Sequence, residues 1–454
     1  MKRLNNLYDN MISYSNVNYV YNKVKNNCHN KEKVFEFLKY KNCNIIDILE
    51  KLKKEEYIFS KYNIFLIHEK KYIIIMSENI SDKIVNQMIS YFILLPAFKN
   101  LIDTNVATRK NKGTSYAYNI IEKYVRSIGL NNEIFVLKID INKYFYNINH
   151  EILYNMIKRR IKDKKSLKII KNIINLTDEE YINNRINKLV SDEIYRINKL
   201  SISQKEKNKK INELKKIPLY EKDRGISIGC LSNQILALFY LNDIDHYIKE
   251  ELKHKYYIRY QDDLYIFDKD IDRLKQSFFL IKRELNKLKL NINNKSGIYN
   301  LKNGISYLGY TYFVKNNSLV IKYTNNTIRK INRKLNKLYN SDFNLYYKSI
   351  NSYKGYFKKC NTNLYYYKYR LLELNSKYDK YKLLKKRFND SIIFIKSKDR
   401  YYTYQDDLKY LNNIFNTKRR SFVNRDVIKI ENINYVILNS NDIFEKYNLQ
   451  KILK

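Results

Sequence analysis

The segment KYYIRYQDDLYIFDK (255–269) places two adjacent aspartates between two short runs of apolar and aromatic residues. These runs predict two β-strands, with Asp262 and Asp263 at the turn that joins them. Neighbouring carboxylates repel each other, and a divalent cation relieves that repulsion. The pattern therefore predicts a rigid hairpin whose tip holds metal ligands.

A second apolar run also ends in an acid. EIFVLKIDINKYF (133–145) predicts a strand that ends at Asp140. A carboxylate at the end of a buried strand is costly unless something compensates its charge, and a two-metal site for phosphoryl transfer needs an acid from outside the hairpin. Either motif alone is more often a surface turn with chance acids. Their joint occurrence, with the Gly-containing segment DRGISIGC (223–230) between them, favours a metal site.

A near copy of the first motif, YQDDLK, occupies residues 404–409. A charged strand pattern precedes it, and Asp406 and Asp407 stand where a helix pattern begins. Acids in the first turn of a helix are favoured by the helix dipole. The sequence therefore predicts a structural role for this copy, and its similarity to the first is interpreted as coincidence.

The composition favours a folded protein with a polyanionic partner. Of the 454 residues, 44% are hydrophobic, and 87 Lys and Arg against 46 Asp and Glu give a net charge of +41, which suits nucleic acid. The alternative is codon bias towards Lys, Asn, Ile and Tyr, although such bias would not remove acidic residues. Four scattered cysteines and five histidines without HxxxH spacing argue against a disulfide framework and a zinc finger.

Apolar periodicity predicts helices in the first 60 residues, a strand pair at 64–76 and a helix at 81–98 with Ser81 as its N-cap. The charged segment of about 162–217 is interpreted as a Lys-rich helical insertion that loops out with a solvated face, rather than a dedicated RNA-binding arm. No apolar run approaches a membrane span and the N-terminus lacks a signal-like stretch, so we expect a cytoplasmic protein without membrane contact.

The order of these motifs resembles the palm of reverse transcriptases over about residues 60–365. KIDINKYF resembles the first catalytic motif, GISIGCLSNQ the motif along template and incoming nucleotide, and YQDD the aromatic-x-Asp-Asp signature. The resemblance implies an α+β right-hand polymerase fold with a small C-terminal α/β domain. The implied divisions are an N-terminal helical region (1–60), fingers and palm (61–315), a helical thumb (316–388) and the C-terminal domain (389–454).

The same resemblance assigns roles to individual residues. Two Mg²⁺ ions, with Mn²⁺ as a substitute, are expected at the catalytic acids and the residue after the first of them: Asp140, Ile141, Asp262 and Asp263. In LNINNKSG, Lys295 stands where the family has a lysine that protonates leaving pyrophosphate. Phe145 takes the position of the side chain that excludes a ribose 2′-hydroxyl.

The expected nucleotide-binding residues, besides Phe145, are Lys70, Lys71, Ile228, Gly229 and Gln234. The segment ISYLGY resembles the primer grip, with Leu308 and Gly309, and SYKGYFKKCN (352–361) resembles a thumb helix of the bacterial branch. The fingers strand departs from the family pattern, since Ile73 stands where an arginine usually contacts the triphosphate.

The central motif departs as well, because Ile228 replaces the usual Gln. This version resembles the one in diversity-generating retroelements, except that Asn233 replaces a Ser. Loss of an amide near the nascent base pair predicts error-prone synthesis.

The implied function is RNA-directed DNA polymerase, a reverse transcriptase that makes cDNA from template RNA, a primer and dNTPs. Relatives of the retroelement type work with a small basic accessory protein. A phage-defence reverse transcriptase is the main alternative, while a retron enzyme or an intron maturase fits less well. From another class, a non-catalytic RNA-binding scaffold is opposed by the three intact acids, which a scaffold does not need.

The tail segment IIFIKSKDRYYTYQDDLKYLNNIF (392–415) also resembles the N-terminal mismatch-recognition domain of bacterial MutS proteins. The residues that fit its pattern are Asp399, Tyr401, Asp406 and Asp407. Arg400 and Tyr402 stand where the wedging Phe and its Glu belong, so the resemblance does not imply mismatch reading. A small α/β appendage is the alternative.

Overall fold

The computed structural model describes residues 3–28, 30–69, 71–109, 111–357, 360, 376–397, 399–419, 421–423, 435–438 and 444–447. The chain divides into two compact units, Met1–Asn300 and Leu301–Lys454. Among the described residues, no helix combines the length and the apolar character needed to cross a membrane.

The first 60 residues form short helices, as their periodicity predicts. Ser13 caps the second of them, accepting a hydrogen bond from the backbone N–H of Asn16, and its buried face carries Val17, Val20 and Val24. These side chains belong to the main hydrophobic core of the N-terminal unit. The bounds are α1 Leu7–Met11, α2 Tyr14–Asn27, α3 Lys31–Lys39 and α4 Lys41–Lys53.

The predicted strand pair is present as an antiparallel hairpin, β1 Asn63–His68 and β2 Tyr72–Ser77. The helix α5 (Ile80–Ile89) follows, but its N-cap is Asn79 and not Ser81. Asn79 has extended backbone angles, and its side chain accepts a hydrogen bond from the N–H of Asp82, whereas Ser81 already lies within the helix.

The helix that begins at α5 ends close to Pro96, as its sequence predicts. It continues through a π-helical turn, Ser90–Leu94, into α6, Leu95–Ala97. A wider turn at this point fits Pro96, which has no N–H to donate to the preceding turn.

A four-stranded sheet lies at the centre of the N-terminal unit, in the order β4-β5-β3-β6 among the described strands. Its neighbouring strands are all antiparallel. One face packs against α15, which shares the main core with Leu137, Ile139, Leu264 and Ile266. The other face meets α7. The bounds are α7 Thr114–Ile128, β3 Phe135–Asp140, β4 Tyr257–Tyr260, β5 Asp263–Asp268, α15 Ile271–Lys287 and β6 Gly297–Asn300.

The Lys-rich segment is helical, as expected, but it does not loop out of the unit. Its helix α10 buries Ile169, Ile170, Ile173 and Ile174 in the main core, and α11 packs Ile182 and Ile186 on the β1–β2 hairpin. The isoleucines recur at helical spacing, so each helix has an apolar stripe that must be covered while the lysines face solvent.

The helical elements between β3 and the Gly-containing loop, which include the Lys-rich segment, have the following bounds: α8 Tyr144–Asn147, α9 His150–Lys158, α10 Lys164–Asn175, a 3₁₀ turn Leu176–Asp178, α11 Glu180–Asn198 and α12 Gln204–Leu214.

Three further helical segments lead from the Gly-containing loop to β4. They are α13 Leu231–Tyr240, α14 Asn242–His246 and a π-helical turn Tyr247–Glu251. Nearly all of α13 is buried, which agrees with its long apolar run.

The described residues of the C-terminal unit form an antiparallel sheet β7-β8-β9, four helices and a second sheet. The second sheet has the order β12-β11-β10-β13-β14 over the described part of the tail. The predicted strand DVIKI (426–430) lies outside the described residues. The bounds are β7 Ile305–Tyr307, β8 Tyr310–Lys315, β9 Ser318–Tyr323, α16 Asn325–Ser341, α17 Phe343–Phe357, α18 Lys377–Arg387, β10 Ile392–Ser397, β11 Arg400–Tyr402, α19 Gln405–Ile414, β12 Phe422–Val423, β13 Tyr435–Leu438 and β14 Phe444–Tyr447.

The second YQDD copy opens a helix, as predicted, with Asp406 and Asp407 in the first turn of α19. Asp407 is buried and accepts hydrogen bonds from Lys385 Nζ at 2.7 Å and from the Ile393 N–H at 3.0 Å. The carboxylate thus joins α18, β10 and α19. Its contacts are those of a structural residue within the tail.

Candidate active site

The register of three strands brings the paired aspartates and Asp140 to one end of the central sheet. Asp140 on β3 is the register partner of Asp263 on β5, and Tyr260 on β4 is also a partner of Asp263. Gln261 and Asp262 therefore form a two-residue turn, in which Gln261 has a φ of 56°. Directly opposed residues of antiparallel strands point to the same face, so Asp140 and Asp263 lie side by side.

Burial and neighbouring charges raise the pKa values of the two adjacent aspartates. Burial and repulsion from Asp263 and Asp140 raise the pKa of Asp262 to about 7, against a lowering by Arg259. Burial also raises the pKa of Asp263 to about 6, with Lys138 lowering it and Asp140 raising it. A divalent cation removes this conflict, and carboxylate oxygens are the donors that Mg²⁺ and Mn²⁺ accept. The donor set therefore fits a divalent metal site.

The loop that carries Lys295 lies against the end of β3. The Asn293 N–H donates to the Asp140 carbonyl at 2.7 Å, and the Asp140 N–H donates to Ser296 Oγ at 2.9 Å. Ile141 pairs with the same loop, and because its alkyl side chain has no oxygen, only its backbone carbonyl could be a metal ligand. The Lys295 side chain is exposed. The backbone of Lys295 is thus fixed near Asp140, with its ammonium free to extend.

The Gly-containing loop is hydrogen-bonded both to the segment of Phe145 and to strand β2. The Ile226 N–H donates to the Phe145 carbonyl at 2.9 Å, and the Met76 N–H of β2 donates to the Ile228 carbonyl at 2.9 Å. Gly229 has a φ of +135°, and a Cβ there would lie 2.4 Å from the Met76 carbonyl oxygen. Only glycine permits this approach between loop and strand.

The start of α13 holds the same loop from its other side. Asn233 is buried, and its Nδ2 donates to Ser227 Oγ at 2.7 Å. Gln234 lies in the first turn of α13 and is partly exposed. The unusual Asn233 therefore has a structural partner within the loop.

The remaining expected residues occupy two hairpin tips. Lys71 is exposed at the end of the β1–β2 hairpin, and Lys70 lies outside the described residues. Leu308 and Gly309 form the turn between β7 and β8 in the C-terminal unit, with φ angles of 47° and 90°. The Gly309 carbonyl accepts a hydrogen bond from the Thr324 N–H at 3.1 Å.

A buried arginine beneath the YQDD turn was not predicted. Arg259 is 0% exposed, and its Nε and Nη2 donate to the two carboxylate oxygens of Asp245. Its Nη1 donates to the Gln261 carbonyl at 2.8 Å, and its Nη2 also donates to the Leu238 carbonyl at 2.9 Å. The guanidinium thus holds the backbone of the residue that precedes Asp262. The sequence feature that could have revealed this role is the arginine within the apolar strand pattern YYIRY.

A family model described as reverse transcriptase (RNA-dependent DNA polymerase) matches residues 68–312, more than half of the chain. The match includes Asp140, Asp262, Asp263 and Lys295. Comparison with curated proteins gives no significant match.

Replacement of Asp262 tests whether its buried charge and its repulsion from the neighbouring carboxylates destabilise the folded protein. Because the folded-state pKa is raised to about 7, the folded protein holds more protons than the unfolded chain, and Asp262 lowers stability increasingly as pH rises from about 4 to 7. Without metal, we expect Asp262→Asn to gain stability over wild type, by on the order of 1–3 kcal/mol more at about pH 8 than at about pH 5.

Denaturant unfolding at both pH values, in chelator and in Mg²⁺, measures this effect. Mg²⁺ should stabilise the wild type more than Asp262→Asn. The control is a substitution of an exposed acid in the same unit, Asp192→Asn, which should match the wild type in its pH profile and in its stabilisation by Mg²⁺. If the free energy of unfolding depends on pH in the same way for wild type and Asp262→Asn, the result would contradict the unfavourable burial of the Asp262 charge.

Arg259→Lys tests the support of the turn. Lysine keeps the charge but cannot span Asp245, the Gln261 carbonyl and the Leu238 carbonyl, so we expect a loss of about 2–4 kcal/mol in unfolding free energy. Mg²⁺ affinity should fall about 10-fold or more, because a displaced turn misplaces Asp262. Calorimetric Mg²⁺ titration and urea unfolding measure both. Arg126→Lys, which alters an exposed pair with Glu122, should change neither; unchanged Mg²⁺ binding in Arg259→Lys would refute the positioning role.

Proposed function

Because the chain belongs to the reverse transcriptase family of RNA-dependent DNA polymerases, we propose that Asp140, Asp262 and Asp263 are its catalytic metal ligands and that it makes cDNA on an RNA template. The pairing of Asp140 with Asp263 beside the Asp262 turn carries this proposal. Members of the family act on a nucleic-acid template and deoxynucleoside triphosphates and generally use divalent metals.

The proposed reaction is nucleotidyl transfer. The 3′-hydroxyl oxygen of the primer would form a bond to the α-phosphorus of a dNTP while its proton is released to water, and the bond from that phosphorus to the pyrophosphate oxygen would break. The three aspartates would hold two Mg²⁺ ions, which would lower the pKa of the attacking hydroxyl and neutralise charge on the departing pyrophosphate. Lys295 is suited to donate a proton to the pyrophosphate, since its loop is anchored beside Asp140 and its side chain is exposed.

We assign the incoming nucleotide to the surface formed by Phe145 and the Ile228–Gly229 loop. The hydrogen bond between Ile226 and Phe145 supports this assignment because it keeps the two segments adjacent. Phe145 would exclude a ribose 2′-hydroxyl by its bulk, and Gln234 would contact the template side. Lys71, with Lys70, is proposed to meet the triphosphate.

The right-hand organisation is part of the proposal. The sheet β4-β5-β3-β6 would be the palm, the β1–β2 hairpin the fingers, and the Leu308–Gly309 turn the primer grip. The helix α16 would belong to the thumb, since it buries Ile331 and Leu335 and exposes a row of cations: Arg329, Lys330, Arg333, Lys334 and Lys337. Such a face suits the phosphates of a template–primer duplex without reading its sequence.

For the biological role, we propose an error-prone polymerase of a diversity-generating retroelement, which would work with a small basic accessory protein. Ile228 supports this, because it offers no hydrogen-bonding group near the nascent pair. A phage-defence reverse transcriptase is the alternative, and a template and variable repeat pair beside the gene would separate the two. The MutS-like appendage stays a prediction, since the family match ends before it.

Mg²⁺-dependent incorporation of labelled dNTPs on a primed RNA template tests the catalytic assignment. We expect Asp140→Asn and Asp262→Asn to lower the rate by about 10³-fold or more, since loss of one carboxylate disturbs the ligand set for the metals. Asp406→Asn in the second YQDD copy should leave the rate unchanged. Retained synthesis in Asp262→Asn would contradict the assignment of this residue to the active site. If the wild type binds the template yet makes no product, the result would favour the scaffold alternative.

Ile228→Gln tests base discrimination. The added amide should contact the nascent pair and lower the error rate in the cDNA, by about 3–10-fold for one additional hydrogen bond. Sequencing of cDNA made by wild type, Ile228→Gln and the alkyl control Ile228→Leu gives the comparison. Equal error rates for wild type and Ile228→Gln would contradict the link between this position and fidelity.

A further inference from the structure

A second group of potential metal ligands lies in the N-terminal unit, formed by side chains other than the three catalytic aspartates. It consists of His150, the first residue of α9, Asp178 at the end of the 3₁₀ turn after α10, and Asp223 in the loop before Gly225. One ligand atom from each residue lies within 4.8 Å of the others.

The hydrogen bonds of His150 define the state of its ring. The side chain is 5% exposed, and its Nε2 lies 2.6 Å from the Gly225 carbonyl oxygen. A carbonyl oxygen only accepts, so Nε2 must carry a hydrogen. Thr177 Oγ1 donates to the same carbonyl at 2.7 Å. The ring is therefore held with Nδ1 directed at the acids.

Among the residues that the structure describes, none is a hydrogen-bond partner of the buried His150 Nδ1, although this atom lies 3.4 Å from Asp178 Oδ2. In the neutral ring, Nδ1 and the carboxylate oxygen are both acceptors, so they repel unless a proton or a cation lies between them. A cation bound between the two acceptor atoms would remove this repulsion.

The two acids are also arranged for a ligand. Asp178 Oδ1 accepts a hydrogen bond from the Asp223 N–H at 2.9 Å, which orients the carboxylate and leaves Oδ2 towards His150. Asp223 is exposed and lines an open cleft with Asn149 and Arg224, so an ion can enter from solvent.

We propose that His150 Nδ1, Asp178 and Asp223 bind a divalent cation that accepts nitrogen ligands, Zn²⁺ or Mn²⁺ in preference to Mg²⁺. Imidazole suits Zn²⁺ and other transition metals, whereas Mg²⁺ takes oxygen ligands. The bond from Nε2 to the Gly225 carbonyl is the usual second hydrogen bond of a metal-binding histidine. Three protein ligands leave room for water on the exposed side of Asp223.

The three ligands come from segments far apart in the sequence, so the cation would have a structural effect. Asp178 lies in the Lys-rich segment, His150 follows the strand that ends at Asp140, and Asp223 precedes the Ile228–Gly229 loop. The His150 N–H already donates to the Asp223 carbonyl at 3.1 Å. The cation would fasten the Lys-rich segment to the loop assigned to the nucleotide. This proposal does not depend on polymerase activity.

Titration of the metal-free full chain with Zn²⁺, Mn²⁺ and Mg²⁺ separately, by calorimetry, tests the site. We expect one Zn²⁺ or Mn²⁺ ion per chain to bind in the Asp262→Asn background, where the catalytic site is impaired. Adding Asp178→Asn or Asp223→Asn should weaken that binding by about 30-fold or more, since second-shell changes alone already cost 10–100-fold. Glu221→Gln, an exposed acid two residues from Asp223, is the matched control and should bind as before.

Two further measurements distinguish this site from cation binding elsewhere on the chain. X-ray absorption at the zinc edge should show nitrogen and oxygen ligands without sulfur, which excludes the four free cysteines. Zn²⁺ should raise the thermal midpoint of Asp262→Asn but not of the variant that also carries Asp223→Asn. Unaltered binding in the Asp178 and Asp223 variants, sulfur ligation, or nitrogen-15 NMR that shows a doubly protonated His150 in Zn²⁺ would each overturn the proposal.

Discussion

The antiparallel register of β3 and β5 is the constraint on which the candidate site depends. It pairs Asp140 with Asp263 while Ile139 and Leu264 enter the core from the opposite face. A slip of one residue would turn these apolar side chains to the other face and separate the acids. The hydrophobic core therefore specifies the register, and the register places the carboxylates. The stability of the apolar contacts offsets the cost of bringing like charges together.

The buried ion pair of Arg259 and Asp245 holds the turn between β4 and β5 in position. A buried ion pair contributes little net stability, because desolvation of both charges opposes their attraction. Its value here is positional: the guanidinium binds the Gln261 carbonyl directly before Asp262. The same positive charge partly offsets the burial and repulsion that raise the pKa of Asp262. One side chain thus supports both the geometry and the charge balance of the turn.

The features predicted correctly from sequence are those encoded in adjacent residues. The YQDD hairpin, the strand that ends at Asp140 and the helix that follows Tyr404 all have local patterns of apolar alternation or helix capping. The features that were missed depend on contacts across the chain. In α10, the isoleucine stripe was missed because the composition is rich in lysine. The partners of the His150 ring lie 28 and 75 residues away, and two partners of Arg259, Asp245 and Leu238, lie 14 and 21 residues away, where periodicity carries no information.

The loop at 223–230 connects these observations. It is held by the Phe145 carbonyl through Ile226, by the Met76 N–H through Ile228, by Asn233 through Ser227 and by His150 through Gly225. A loop fixed from four directions has little freedom to adjust to a mismatched base pair by moving. If the nucleotide binds at this loop as proposed, the partly exposed Ile228 side chain would determine discrimination by its own chemistry. An alkyl group there offers contact area without directional bonding, and so it would tolerate pairs that an amide would reject.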